Sequence, residues 1–243
     1  MKEKGVEIKL DQERWTAIRD KRIIRTDSGD IRYEHMFNCA GLNADTVAHS
    51  FGIGQRFKLL PFKGIYWQLK QTSKIHIKCN LYPVPDLSVP FLGVHFTPSA
   101  DQIPVTSIGP TASPAWGREN YRGLDGIEPG MAASNMGILA RQYLTNRGGF
   151  RRYVHEQAFL SFGPLLLKAA QELVPSIKAE DIEPSLKVGI RSQLFNLDTS
   201  LLENDFLCMR GENSTHVLNA ISPAFTASFA LADLIIERSN IGL

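Results

Sequence analysis

The 243 residues lack several of the short signatures that mark common chemistries. There is no complete Gly-x-Gly-x-x-Gly, no phosphate-binding loop with its lysine, and no Gly-x-Ser-x-Gly. These absences exclude a complete nucleotide loop of either kind within the sequence, and they argue against a hydrolase that uses a serine on a sharp turn. Gly52 and Gly54 follow a predicted helix and lack the third glycine, so we interpret them as a helix C-cap and its loop.

Cysteine is scarce, and its spacing excludes the usual cysteine-based sites. Cys39, Cys79 and Cys208 are odd in number and form no Cys-x-x-Cys. We therefore predict free, buried thiols in a reducing compartment, and we expect a cytoplasmic protein. No grouping of His, Cys, Asp and Glu has the spacing of a metal site, so we predict no metal.

Strong charge and long apolar runs are also missing. The formal net charge is +2 without a Lys/Arg cluster, which gives no reason to expect nucleic acid as a partner. No run of about eighteen apolar residues occurs, so we expect no transmembrane segment. The amino-terminal residues are charged and do not read as a secretory signal, while peripheral contact with a membrane stays open.

Alternating apolar and polar residues predict strands in the first half of the chain. Residues 6–10, 23–26 and 31–33 predict a small antiparallel meander. A short strand then ends at Gly41 and a helix follows, which is a geometry in which backbone amides face a phosphate or a ribose. Further strands are predicted between residues 59 and 109.

The second half begins with a predicted loop and helices. Residues 110–135 are rich in Gly, Pro, Ser and Asn and predict a long surface loop or lid, and apolar spacing predicts helices within residues 136–174. A last helix, rich in small residues, is predicted to begin directly after Ser222-Pro223. Its amino-terminal N–H groups and dipole would suit the electron-rich edge of a reduced flavin, although a capped helix without a ligand explains the same pattern.

Two histidines are candidates for acid–base or substrate contacts. Alternation places His95 on one face of a predicted strand and Val94 with Phe96 on the other. His95 could accept the proton of a substrate hydroxyl, or it could simply be hydrogen-bonded at the sheet surface. His216, just before the small-residue helix, has the same two interpretations.

Two cations are candidates for binding a carboxylate. Arg191 carries a planar fork of donors that matches a carboxylate or the negative charge of a reduced ring, and an ordinary salt bridge is the alternative. Lys63 stands beside a glycine that permits close approach, and a solvated lysine on a strand is its alternative.

Several short segments, taken together in their order along the chain, resemble a known family more specifically than any one of them does alone. They comprise residues 38–45, 60–64, 81–86, 90–97, 109–110, 189–193 and 216–224. In order and spacing, from about residue 5 to residue 237, the chain resembles the L-2-hydroxyglutarate dehydrogenase/oxidase family of the D-amino-acid-oxidase-like flavoproteins.

The resemblance implies an α/β flavoprotein with a mostly antiparallel substrate-domain sheet and covering helices. It implies oxidation of L-2-hydroxyglutarate, a 2-hydroxy dicarboxylate, to 2-oxoglutarate by hydride transfer to FAD, which a quinone or dioxygen would reoxidise. His95 would be the catalytic base, and Lys63, Arg191 and His216 would bind substrate. The residues expected to contact FAD are Gly41, Gly189, Arg191, Ser222, Pro223, Ala224 and Thr226.

The resemblance also implies a domain division and a missing part. We expect residues 1–48 and 185–243 to form a partial FAD-binding domain, and residues 49–184 to form the substrate-binding domain. The family's opening βαβ unit, which holds the pyrophosphate, is absent from this sequence, so we interpret the chain as a carboxy-terminal fragment. We therefore expect weak or no FAD binding by the chain alone, and an exposed sheet edge that self-association or a partner chain would cover.

Three activities stay open on the sequence. The first is the FAD-dependent oxidation of a 2-hydroxy acid. The second is a catalytically inactive remnant that at most binds a small dicarboxylate. The third is a related flavoprotein acting on an amine or on glycerol phosphate.

Overall fold

A computed structural model of the chain describes residues 5–84, 93–100, 105–160 and 163–239. Residues 85–86 and 90–92 of the segments used above lie outside these ranges. The described helices and strands follow in chain order: β1 Trp15–Ile18, β2 Ile23–Thr26, β3 Gly29–Arg32, β4 Met36–Asn38, α1 Ala44–Ser50, β5 Phe57–Leu69, β6 His95–Pro98, β7 Thr106–Gly109, β8 Ser113–Pro114, α2 Pro129–Thr145, α3 Phe150–Leu160, α4 Gly163–Leu173, β9 Ile182–Asn196, β10 Leu201–Leu202, β11 Leu207–Arg210, β12 Ser214–Asn219 and α5 Ser228–Ser239.

The chain divides into two compact units. Unit 1 comprises Met1–Gln55 with Phe206–Leu243, and unit 2 comprises Arg56–Asp205. The sequence analysis placed the boundaries after residues 48 and 184 instead. The second boundary differs because β9 pairs with β5 along nearly its whole length, which holds residues 185–205 in unit 2.

Unit 2 is built on a six-stranded sheet of order β10-β9-β5-β7-β6, with β8 paired to β5. Every pairing in it is antiparallel. The predicted mixed fold, with a mostly antiparallel sheet and covering helices, is confirmed. Among the further strands expected between residues 59 and 109 was one at residues 75–77, and this expectation is wrong because the segment runs as irregular chain.

The two faces of this sheet pack against different helices. On one face, which we call the α4 face, Leu69, Phe96 and Ile108 pack with Leu166 and Ala170 of α4. On the other, the α3 face, Leu60, Phe62 and Phe195 pack with Tyr153 of α3 and with partly buried residues of α2. Burying each such Leu or Phe contributes about 1.5–3 kcal/mol, so these two clusters fix the sheet between its helices.

Unit 1 contains a meander and a second small sheet. Strands β1, β2 and β3 pair antiparallel in sequence order, which confirms a meander in this region. Its first strand is β1 rather than the predicted residues 6–10. That segment alternates but forms no strand in the described part of the chain, and Val6, Ile8 and Leu10 are exposed.

The second sheet has the order β11-β12-β4, in which β12 runs parallel to β4 and antiparallel to β11. Helix α1 contacts β12 and β4, whereas α5 contacts β11 and β12. All six residues of β12 are buried. Strand β4 is therefore an edge strand of the described sheet.

The last helix begins at Ser228, so the predicted start directly after Ser222-Pro223 is wrong. Residues 222–227 form turns, in which the Thr226 hydroxyl and the Ala227 N–H both donate to the Pro223 carbonyl, at 3.0 Å and 2.9 Å. A side-chain hydroxyl bonded to a local carbonyl competes with regular helix, which accounts for the delayed start.

His216 is fully buried in β12, with none of its surface exposed, and ties the interior of unit 1 together. Its Nδ1 accepts from Asn38 Nδ2 at 3.1 Å, and its Nε2 lies 2.9 Å from Ser214 Oγ. The Asn38 amide is oriented by two further bonds, Nδ2 to the Ala44 carbonyl and Oδ1 from the Ala40 N–H. Neutral His216 with its proton on Nε2 satisfies every partner, so its burial argues against the predicted substrate contact.

Protonating His216 would place a second N–H against the Asn38 amide, so we predict a loss of stability in mild acid. Burial lowers the pKa of His216 to about 4, with a smaller contribution from His35. Because the folded pKa lies below the unfolded value near 6.5, this stabilisation is complete above pH 6.5 and is lost as the pH falls towards 4, by up to about 3 kcal/mol. Imidazole NMR should show His216 neutral at pH 5.5, and a protonated ring at that pH would contradict the prediction.

Candidate functional site

The pairing of β5 with β9 decides which candidate residues share a face. Phe62 is directly opposite Arg191, and Gly64 is opposite Gly189. Directly opposite residues in an antiparallel ladder project to the same side, and successive residues alternate. Arg191 and Gly189 therefore lie on the α3 face, next to Phe62.

Lys187 also lies on this face, next to a β-bulge. The register shifts between Ile65 and Trp67, so that the β9 residues between Pro184 and Val188 lie opposite Tyr66 alone. The Lys187 ammonium lies over the Tyr66 ring, 4.7 Å from its centroid. The two extra residues leave the alternation of β9 unchanged, so Lys187 lies on the same face as Gly189 and Arg191.

A row of three residues crosses the sheet beside this cation. His95 is opposite Gly109, and the next pairs, Phe96 with Ile108 and Ile108 with Trp67, belong to the α4 face. Tyr66, Gly109 and His95 consequently lie on the α3 face. Tyr82 packs on His95 with ring centroids 4.6 Å apart.

The hydrogen bond of His95 selects its tautomer. Its Nδ1 lies 2.9 Å from the Gly93 carbonyl, which can only accept, so Nδ1 carries the proton and Nε2 is the acceptor of the neutral ring. Burial lowers the pKa of His95, the hydrogen bond to the Gly93 carbonyl opposes this in part, and the positive charges of Arg191 and Lys187 add smaller lowering effects. The ring is therefore neutral at pH 7 with a lone pair on Nε2, which is the state that a general base requires.

Arg191 is a largely buried cation whose charge reaches two tyrosines. Burial lowers its pKa, while Tyr66 and Tyr153 act in the opposite sense. Arginine stays charged in spite of such shifts, because a guanidinium loses its proton only in strongly alkaline solution. Beside it Gly189 leaves open space, since a Cβ built there would meet no atom within 4 Å.

The structure places Lys63 apart from this group. Lys63 is opposite Ile190, one position from the Phe62–Arg191 pair, and so projects to the other side of the sheet. Its ammonium donates to Asn120 Oδ1 at 3.1 Å. One-residue alternation thus puts Lys63 and Arg191 on opposite sides of the sheet, and the substrate contact expected of Lys63 stays a prediction.

Asn120 holds the loop that follows β8, and we predict that Asn120→Ala destabilises the chain by roughly 2–3 kcal/mol. The side chain is fully buried and bonds to Lys63, the Trp116 N–H and the carbonyls of Gly123 and Asp125. Urea unfolding followed by tryptophan fluorescence measures the change. The neighbouring exposed variant Glu119→Ala should shift stability by less than about 0.5 kcal/mol, and equal effects of the two would refute this role.

The candidate cofactor residues of unit 1 lie at one edge of its sheet. Because β4 and β12 are parallel, Gly41 and residues 222–226 follow their carboxyl ends at the same edge. Gly41 has a φ of +53°, and a Cβ there would meet no atom within 4 Å. Ser222, Pro223 and Thr226 are exposed and Ala224 is half-buried.

A pocket of about 350 Å³ lies at the opposite edge of that sheet. Its lining includes Arg19, Arg22, Asp20, Glu212 and Ser214, the residue at which β12 begins. Ligands of open α/β sheets bind outside the carboxyl ends of the strands. This pocket, with balanced charges, therefore stands apart from the candidate cofactor residues.

Comparison with known proteins agrees with these observations. The sequence profile of the FAD dependent oxidoreductase family matches residues 1–238. The chain belongs to this family. It is 34% identical over 224 residues to the mitochondrial L-2-hydroxyglutarate dehydrogenase of Bos taurus, covering 89% of the chain and 47% of that protein. It is 30% identical over 222 residues to the L-2-hydroxyglutarate dehydrogenase of Salmonella houtenae, covering 89% of the chain and 50% of that protein.

A solved structure shows the same fold. The L-α-glycerophosphate oxidase of Mycoplasma pneumoniae with FAD bound superimposes with a TM-score of 0.57 at 17% identity, over 96% of this chain and 50% of that one. The chain thus spans about half the length of the proteins it matches. Among the helices that the structure describes, none combines the length and hydropathy that a membrane crossing needs.

Tyr66, Tyr82 and Lys187 were not among the site residues predicted from the sequence. The pattern Lys187-x-Gly189-x-Arg191 carried a signal, since alternation puts its three residues on one face of a regular strand. Tyr66 follows Gly64 by the same spacing. The position of Tyr82 beside His95 comes from an isolated bridge between Leu81 and Phe96, which no local pattern indicates.

We predict that His95 titrates below the histidines of the unfolded chain, because burial and two neighbouring cations disfavour its charged form. NMR titrations of the native and the urea-unfolded chain measure both values. The variant Lys187→Gln removes one positive charge and should raise the pKa of His95 towards its ordinary value. If the pKa of His95 in the native chain equals or exceeds its pKa in the unfolded chain, His95 is not buried beside these two cations.

Proposed function

We propose that this chain is part of an FAD-dependent enzyme that oxidises L-2-hydroxyglutarate to 2-oxoglutarate, and that unit 2 binds the substrate and supplies the base. The observation that carries the proposal is the position of a neutral histidine and two cations on one face of the sheet. A 2-hydroxy dicarboxylate requires both features. The curated relatives that bear this activity in their names support the same substrate.

The residues of unit 2 have distinct roles in this proposal. Arg191 binds the carboxylate next to the reacting carbon through its guanidinium fork. Nε2 of His95 accepts the hydroxyl proton as the C2–H bond breaks, and FAD, when bound, accepts the hydride. A quinone or dioxygen would take the electrons in turn.

The proposed role of His95 predicts how the reaction rate depends on pH on the acidic side. His95 must be neutral to accept a proton, so the rate should rise with pH through its pKa, below 6.5 because that pKa is lowered. The negative charge of a bound dicarboxylate offsets the two cations and brings the pKa back towards its ordinary value.

Unit 1 fits one part of FAD. The N–H groups of Phe225 and Thr226 donate to no acceptor in the described part of the chain, and they lie at the carboxyl edge of the sheet beside Gly41. Such amides suit the pyrimidine oxygens of a flavin. The diphosphate has no comparable cradle in the 243 residues, since no Gly-x-Gly-x-x-Gly occurs. We therefore expect weak or no FAD binding by this chain alone.

A further segment would complete unit 1 in this proposal. Strand β4 is an edge strand, and Phe37, Phe225 and Phe229 are exposed by 41%, 93% and 89%. An open edge with exposed aromatic residues favours association. A nucleotide-binding βαβ segment, a partner chain or a second copy would cover the open edge of β4.

A dicarboxylate-binding protein without redox activity is the second candidate, and the missing diphosphate cradle is the observation that favours it. The paired cations favour an anionic ligand over an uncharged amine, and they do not separate a hydroxy acid from glycerol phosphate. The protein is proposed to work in a reducing compartment such as the cytoplasm, and the free thiols of Cys39, Cys79 and Cys208 support this proposal. The thiols of Cys39 and Cys79 are exposed, contrary to the predicted burial.

We predict that the purified chain is colourless, and that a hybrid with the amino-terminal half of the L-2-hydroxyglutarate dehydrogenase of Salmonella houtenae is yellow and oxidises L-2-hydroxyglutarate. In the hybrid, His95→Gln should lower kcat by about 10²–10⁴-fold while the flavin spectrum is kept. The matched control is His76→Gln, at an exposed histidine of an irregular segment.

Three outcomes separate the candidates. A yellow hybrid that oxidises glycerol phosphate but not L-2-hydroxyglutarate would contradict the substrate. A hybrid with full activity after His95→Gln would contradict the base. A chain that binds the dicarboxylate, in a hybrid that stays inactive with flavin bound, would favour the binding protein.

A further inference from the structure

We propose that Lys187 is the specificity-determining cation of this site, and that it binds the second carboxylate of a dicarboxylate whose first carboxylate is held by Arg191. This inference deepens the proposed function and rests on it. It assigns a residue that the sequence analysis left without a role, and it explains how the site distinguishes a dicarboxylate from a monocarboxylate.

The spacing of the two cations along β9 fits two carboxylates on one molecule. Residues four apart on a strand have Cα atoms about 13 Å apart, and each of these long side chains can lean towards the other. Gly189 lies between them with open space where a side chain would stand. A short chain with a carboxylate at each end therefore has room over Gly189, between the guanidinium and the ammonium.

The bulge fixes the backbone of Lys187. Ser185 Oγ accepts from the Lys187 N–H at 3.2 Å and donates to Gln68 Oε1 at 2.9 Å. The Gln68 amide in turn donates to Glu183 Oε1 at 2.9 Å. These hydrogen bonds hold the bulge in place. The carboxylate of Glu183, also in β9, is already hydrogen-bonded to Gln68.

The ammonium of Lys187 is positioned and available. It lies over the Tyr66 ring, which holds the side chain on the α3 face by a cation–π contact. Within the described ranges Lys187 forms no salt bridge. A cation that is held by an aromatic ring and lacks a carboxylate can accept the carboxylate of a ligand.

The electrostatic influence of both cations reaches the proposed base. The charges of Arg191 and Lys187 both act on the His95 ring. Because both cations and His95 lie on the α3 face, a ligand that spans the cations would present its hydroxyl on the side of the sheet that carries His95. A monocarboxylate would satisfy Arg191 and leave Lys187 without a partner.

The test is a binding measurement on the 243-residue chain with two unreactive probes, glutarate and butyrate. NMR titrations of the wild type, Lys187→Gln, Lys187→Arg and the control Lys168→Gln are made at low ionic strength, with and without added FAD. Lys168 is an exposed residue of α4, a helix on the other face of the sheet. Added salt should weaken glutarate binding, because Lys187 is exposed.

We expect Lys187→Gln to weaken glutarate binding about tenfold and to leave butyrate binding unchanged, with Lys187→Arg close to wild type. If the wild type prefers glutarate and Lys187→Gln keeps that preference, this inference is overturned while the proposed function stands. If the wild type binds neither probe, the proposed substrate site is overturned and the inference with it. Equal losses for Lys187→Gln and Lys168→Gln would show a nonspecific charge effect and would also overturn it.

Discussion

The antiparallel pairing of β5 with β9 is the constraint on which the rest of unit 2 depends. It is the longest ladder in the described chain, and its register decides that Phe62, Gly64, Gly189 and Arg191 share one face. A slip of one residue would turn every one of these side chains to the other face. The hydrophobic pattern resists such a slip, because Leu60, Phe62 and Phe195 pack under α3 while the alternate residues belong to the opposite face. The register that buries the core therefore also decides to which side of the sheet Arg191 and Lys63 project.

The bulge in β9 interrupts this ladder, and the hydrogen bonds formed in the bulge support Lys187 of the candidate site. A regular continuation would still alternate, but it would not give Lys187 the support of Ser185 and Gln68. Extra residues in one strand cost ladder hydrogen bonds, and such bulges recur next to active sites. In unit 1, Asn38 and Ser214 provide hydrogen-bond partners for both ring nitrogens of His216 in β12. This histidine therefore stabilises the interior of the unit.

Sequence reasoning could predict those features that depend on neighbours along the chain. Alternation placed His95 away from Val94 and Phe96, and the structure buries Val94 and Phe96 while His95 is half-buried. Arg191 and Gly189 also followed from their own strand. Features that depend on pairing could not be predicted in this way. From the sequence, Lys63 and Arg191 are equally good candidates for binding a carboxylate, but the β5–β9 register puts their side chains on opposite sides of the sheet. Tyr82 contacts His95 because an isolated bridge pairs Leu81 with Phe96. The exposed Thr226 hydroxyl delayed the last helix by a local bond that helix patterns do not reveal.

Lys187 and Tyr66 lie on the face that carries Arg191 and His95, whereas Lys63 lies on the other. Side-chain NOE spectroscopy of the ligand-free chain measures this arrangement. We expect NOEs from the Tyr66 ring protons to the Lys187 ε-methylene, and from the Lys63 ε-methylene to the Asn120 amide. NOEs between the Lys63 ε-methylene and the Tyr66 ring, without any from Lys187, would contradict the account.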